Sequence, residues 1–127
     1  MGRGMKITNV TSRVVLLGDN YFEQCKINLP ANEIIPAGTV LQRDLNDKKL
    51  LLPAAAASDF MGIVPFDLEN ATDTAKIVGF RACISGRVRA DMLMIEGIVA
   101  TIGQCDRLRK TGFIPSKVTD ISHLDNQ

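Results

Sequence analysis

With no tryptophan and a single tyrosine, this 127-residue chain lacks the large rings around which many small domains pack. Its five phenylalanines cannot fill a core alone, so the interior must be aliphatic, built from Ile, Val, Leu, Ala and Met. Histidine is equally scarce. The one copy, His123, stands in a polar tail between Ser122 and Leu124, away from the fixed partner and dry pocket a catalytic base needs. Cys25, Cys83 and Cys105 form no Cys-x-x-Cys pair, and an odd count argues against a disulfide framework. They read as small apolar residues of a reduced core. One histidine and three scattered thiols also fail to supply the ligand spacing of a metal site.

Charge of one sign is missing too. Fifteen basic against 14 acidic residues give a net charge of +1, without the basic excess that phosphate neutralisation demands of a nucleic-acid binder. The longest apolar stretch, Leu50 to Ala57, is broken by Pro53 and falls far short of the ~20 residues that span a bilayer. The first residues, Met1-Gly2-Arg3-Gly4-Met5-Lys6, carry no apolar signal core. The expectation is a soluble protein, made in a cytoplasm, with no membrane or nucleic-acid partner.

What is present is β-rich. Lys6-Ile7-Thr8-Asn9-Val10 and Arg13-Val14-Val15-Leu16-Leu17 favour strands, and Gly18-Asp19-Asn20 is turn chemistry. Tyr21 to Leu29 reads as a strand with Phe22, Cys25, Ile27 and Leu29 partly alternating, and Pro30-Ala31-Asn32-Glu33 breaks it. Pro36-Ala37-Gly38 is a tight turn: proline presets φ, and Gly38 can take the positive φ required. Thr39-Val40-Leu41, the turn Asn46-Asp47-Lys48 and the return Lys49 to Leu52 make residues 38–53 a hairpin. Ala54 to Asp59 is a connector.

Residues 77–90 show the clearest period. Val78, Phe80, Ala82, Ile84, Val88 and Ala90 fall on even positions, and Arg81, Ser85, Arg87 and Arg89 on odd ones. That is a long strand with one buried and one wet face, and Gly79 and Gly86 mark bends in a curved sheet. The arginines are either a solvated face or partners for carboxylates on a neighbouring subunit. The period then changes. Ile95, Ile98, Val99, Ile102, Cys105 and Leu108 recur at three and four, which predicts an amphipathic helix with Glu96 in its first turn. Arg107, Arg109 and Lys110 suit its C-terminal end, Gly112 its C′ position, and Pro115 blocks continuation.

The predicted fold is α+β, mainly β: a small curved sheet or partly closed barrel with one amphipathic helix near the C-terminus. Residues 1–15 read as an N-terminal arm, 16–115 as the domain and 116–127 as a polar tail. No glycine-rich phosphate loop is present. The carboxylates from Asp67 to Asp73, with Asn70 and Thr72, read as a polar turn. Nothing in the sequence points to an enzyme, a cofactor or a metal.

The order of these pieces carries a resemblance. Ile35-Pro36-Ala37-Gly38-Thr39-Val40-Leu41, the Ala54–Asp59 connector, Gly62-Ile63, the ribbon 77–88, Ala90-Asp91-Met92-Leu93 and a helix ending in Leu108 through Phe113-Ile114 follow one another. This succession, over residues 34–115, resembles the head decoration proteins of tailed bacteriophages, the family of the phage lambda decoration protein. The resemblance implies a small structural protein that forms trimers at three-fold and quasi-three-fold positions on the outside of the expanded capsid. There it ties neighbouring subunits of the major capsid protein together, as a virion component made in the bacterial host's cytoplasm. It also implies a flexible N-terminal arm that orders on docking, for which Met5, Lys6, Ile7, Val10 and Arg13 are the capsid-contact candidates. Arg81, Arg87 and Arg89 are the trimer-contact candidates. The Pro-Ala-Gly-Thr-Val-Leu stretch also looks like the small barrels appended to sialic-acid synthases and pilus proteins, which implies a carbohydrate- or ligand-binding module. Those barrels lack a C-terminal helix of this kind.

Overall fold

A computed structural model describes residues 14–16, 18–47, 49–56 and 58–116. The chain runs β1 (Tyr21–Leu29), β2 (Glu33–Ile35), β3 (Val40–Arg43), β4 (Leu51–Pro53), β5 (Gly62–Ile63), β6 (Leu68–Asn70) and β7 (Lys76–Arg89). A 3-10 turn at Ala90–Met92 leads to β8 (Met94–Ile95) and β9 (Ile98–Val99), then helix α1 (Ile102–Lys110) and β10 (Phe113–Ser116). The principal sheet is ordered β1-β4-β3-β5-β7, and β1 also pairs with β7, which closes a five-stranded barrel; β10 is added to β7 outside it.

The longest seam is antiparallel, β1 against β7, from Leu29↔Lys76 to Tyr21↔Ser85. Alternation of β1 sends Ile27 and Leu29 into the barrel, where Leu41, Leu51, Val64, Phe80 and Ala82 meet them. The predicted hairpin over 38–53 is β3 with β4, paired at Leu41↔Pro53, Gln42↔Leu52 and Arg43↔Leu51. Its leading turn uses glycine as expected. Gly38 has φ +95°, and a Cβ there would lie 1.9 Å from the carbonyl oxygen of Met92.

A second core lies on the other face of β3, β5 and β7. Val40, Ile63, Cys83 and Val88 pack there with Val14, Leu93, Ile95, Cys105, Leu108 and Phe113. Cys83 and Val88 share this core although one is odd and the other even. The reason is a bulge. Tyr21 pairs with Ser85 but Phe22 with Cys83, so Ile84 is an extra residue on β7 and the faces exchange beyond it. Strict even-odd burial therefore does not run the length of the strand.

Two further expectations are corrected. The helix does not begin near Ile95. Met94–Ile95 and Ile98–Val99 pair as a two-stranded ladder across Glu96 and Gly97, both at positive φ (54° and 76°). A two-residue turn of that kind matches the twist of a hairpin. The helix starts after Thr101, whose hydroxyl accepts from the Gln104 N–H at 3.2 Å while the Gln104 side chain accepts from the Thr101 N–H at 2.9 Å. This reciprocal cap satisfies two donors that have no intrahelical partner. At the other end Gly112, at φ +107°, ends the helix as predicted.

The polar stretch from Asp67 to Asp73 is not a simple turn either, because Leu68–Asn70 is a strand paired with β2. Asn70 is buried and donates to the carbonyls of Leu29 (3.0 Å), Pro30 (3.2 Å) and Thr74 (2.9 Å), tying the end of β1 to the entry of β7. Of the expected arm, Val14 and Val15 lie within the described residues and pack on the domain. Val14 is fully buried, Val15 bridges to Val88, and the Leu16 N–H donates to the Arg87 carbonyl at 2.9 Å.

Candidate functional site

The described surface departs from a plain barrel in two places, both apolar. The first is a cleft of about 410 Å³ that opens where the chain leaves β5. Pro65, Phe66 and Leu68 form one bank; Phe80 and Arg81 of β7 and Phe22 of β1 form the other. A smaller cavity of about 260 Å³ shares Phe22, Pro65 and Phe66 and extends toward Leu16 and Asn20. Phe66 is 71% exposed, an unusual position for a phenylalanine with so few rings in the chain. The Arg81 guanidinium lies 5.7 Å from the centre of the Phe22 ring, within range of a cation–π contact. Among the described residues no carboxylate pairs with it.

The second feature is a knuckle at the β8–β9 hairpin and the start of α1. Ile98 (68%), Val99 (48%) and Ile102 (83%) stand exposed there, the half of the predicted apolar stripe that the core does not take. The inward half is held firmly. Arg107 on α1 donates to the carbonyls of Ala56 (2.6 Å) and Ser58 and lies 4.2 Å from the Phe60 ring centre. Glu96 accepts from the Ala56 N–H at 3.2 Å. The basic residues at the helix end are thus partly a clamp on the 54–59 connector. Arg109 pairs with Asp106 at 2.7 Å.

The sequence-derived candidates are not brought together. Met5, Lys6, Ile7, Val10, Arg13 and His123 lie outside the described residues. Arg81 rims the cleft. Arg87 is exposed; its backbone N–H donates to Asn20 Oδ1 at 2.9 Å, and its aliphatic stem runs beside Gly18. Arg89 is only 9% exposed and pairs with Asp91 of its own chain at 2.8 Å, so the solvated-face expectation fails for it. At this end of β7 the chain is flanked on both sides, by β10 through Ser116↔Arg89 and by Val14, whose carbonyl accepts from the Arg89 N–H at 2.8 Å. Phe22 and Phe66 were not singled out from sequence as site residues. They are 44 positions apart, and no local pattern marks their meeting.

Carboxylates serve local structure. Asp67 accepts from the Ala37 N–H at 2.8 Å, Asp44 from the Asn46 N–H at 2.8 Å and Asp73 from the Asn32 side chain at 3.2 Å. Among the described residues no group of three or more His, Cys, Asp or Glu is placed to hold a metal ion. Burial pushes the thiols of Cys25, Cys83 and Cys105 above the ordinary cysteine range, opposite to the shift that makes a reactive thiolate. No helix among the described residues is long and apolar enough to cross a membrane. No family model and no curated protein matches this chain.

Proposed function

We propose that this protein is a structural virion component of the head-decoration type. It binds the outside of the expanded capsid as trimers at three-fold and quasi-three-fold positions and cements neighbouring capsid subunits. Its partners are the major capsid protein and its own copies. The reading includes no enzymatic step, cofactor, nucleic acid or membrane. The observation that carries it is the exposed knuckle of Ile98, Val99 and Ile102, set on a closed barrel in which Asp44, Asp67 and Asp73 are occupied in turns. Contiguous exposed aliphatic side chains of this kind mark contact surfaces more often than solvent-facing ones. The succession of turns and strands over residues 34–115 supports the same reading.

In the assembled shell the knuckle and Arg81 and Arg87 face neighbouring copies, and Met5, Lys6, Ile7, Val10 and Arg13 contact the capsid. Arg89, already neutralised by Asp91, contributes less to such a contact than the other two arginines. A trimer touching several shell subunits gains effective concentration at each, so modest interfaces sum to tight attachment.

Co-sedimentation with compact procapsids and with expanded shells tests the proposal. Saturable binding to expanded shells alone, at three copies per three-fold position, is the expected result. Absence of binding to both overturns it. The aromatic cleft favours the alternative of a small ligand-binding barrel in one respect, its exposed rings. Its side chains offer few hydrogen-bonding groups beyond Arg81, a poor match for the many hydroxyls of a carbohydrate.

A further inference from the structure

We propose that the cleft and the β7 edge beside it form a peptide-binding groove that takes an extended acidic segment of another protein by strand addition. The inference does not rest on the shell reading, and under it Arg81 serves the groove in place of a trimer contact. It begins with an incomplete seam. β7 is paired with β1 from Lys76 to Ser85, yet β5, its neighbour on the other side, pairs with it only at Ile63↔Cys83. Beyond that point the chain turns away through Pro65 and Phe66. No other described strand takes the place of β5 along residues 76–82, and among the described residues no backbone hydrogen bond from a turn or loop reaches them. Gly79, in the middle of this edge, is exposed. An unpaired strand edge presents donors and acceptors in register for an incoming chain, and apolar pockets beside it accept alternate side chains. The cleft of Phe22, Pro65, Phe66, Leu68, Phe80 and Arg81 is such a pocket.

Charge selects the occupant. Lys76 and Arg81 bracket the edge, and neither has a carboxylate partner among the described residues. A second copy pairing through the same edge would bring a second Lys76 and a second Arg81 to the groove, adding like charge to like charge. The leading residues of this chain, with Arg3, Lys6 and Arg13 and no acid before residue 19, carry the same wrong sign. A segment with acidic residues on both faces of the added strand and apolar residues among them fits on both counts. Its apolar side chains enter the cleft beside Phe22 and Phe66, and a carboxylate on each face of the added strand meets Arg81 and Lys76, whose side chains leave β7 on opposite faces.

The test uses the isotopically labelled full chain, followed by NMR. It is titrated with a synthetic peptide that carries glutamates on both faces of an extended strand among valine and phenylalanine, and with a counterpart carrying lysine for each glutamate. The acidic peptide should shift and protect the amides of residues 77–81, and the lysine peptide should not. Arg81→Glu should weaken the acidic peptide about tenfold and admit the lysine peptide. Phe66→Ala, at an exposed position that leaves the fold intact, should weaken it without altering the charge preference. Equal binding of both peptides, shifts confined to other residues, or no binding would overturn the proposal. So would shifts of the same amides on concentrating the protein alone, which would mean that a second copy fills the edge.

Discussion

The core inside the barrel and the core beneath α1 share three strands and little else. β3, β5 with the residue that follows it, and β7 give alternate residues to each: Leu41, Val64 and Ala82 inward, and Val40, Ile63 and Cys83 outward. Around the barrel core the remaining wall is long ladder, nine register pairs between β1 and β7 alone. Around the outer core it is assembled from short pieces: the two-residue strands β8 and β9, the single bridge of Val15 to Val88, a nine-residue helix and β10. The barrel is held by many equivalent backbone hydrogen bonds. The outer layer is held by a few particular side chains. Stability should therefore be uneven, with the outer layer opening below the global unfolding free energy.

Matched core truncations test this most strongly. Leu108→Ala and Leu41→Ala each remove a fully buried leucine and should each cost about 2–5 kcal/mol. They should differ in kind. Native-state hydrogen exchange of Leu108→Ala should show lost protection in α1 and β10 with β1 and β7 still protected. Leu41→Ala should lower protection everywhere together. If both variants lose protection uniformly, the two cores are one cooperative unit and the comparison fails.

Next in size is the clamp. Arg107→Met keeps most of the stem but removes two hydrogen bonds to the connector and the cation–π contact with Phe60. A loss of about 1–3 kcal/mol in denaturant unfolding is expected, since the freed carbonyls of Ala56 and Ser58 can recover water. Thr101→Ala, which removes half of the reciprocal cap, should cost about 1 kcal/mol. Both effects should appear in the exchange of α1 before that of β1.

The same contrast explains what the sequence could disclose. The barrel rests on two long strands, β1 and β7, and on a proline-glycine turn, and these carry their own signals: alternation in β1, the hairpin over 38–53 and the positive φ of Gly38. The outer layer is made of short elements whose signals overlap. Ile95, Ile98, Val99 and Ile102 have helical spacing, yet the first three lie in a hairpin, because Glu96-Gly97 closes a turn inside the apparent period. Thr101-x-x-Gln104 did mark the true helix start. The Ile84 bulge has no local signature, so the sharing of one core by Cys83 and Val88 could not be read from parity. The cleft was hidden for a different reason. It depends on Phe22, Phe66 and Arg81 meeting across three elements, and on a missing stretch of pairing that only the closed sheet reveals.

The smallest expected effect is chemical and reads the two cores separately. Cys25 belongs to the rim of the barrel, whereas Cys83 and Cys105 sit in the outer core. Burial raises all three thiols, so each folded thiol keeps its proton at a pH where the unfolded one has lost it. Stability should fall slightly as pH rises from the ordinary thiol range toward the raised folded value, and be unaffected below it. At fixed pH, alkylation in increasing urea should label Cys83 and Cys105 together, at concentrations where the amides of β1 and β7 still resist exchange. Their simultaneous appearance follows if the outer layer lifts as a unit when α1 leaves, because Cys105 lies on the helix and Cys83 on the strand beneath it. Labelling of Cys105 long before Cys83 would instead mean that the helix frays alone and that β10 and the 14–16 segment hold the rest of the layer in place.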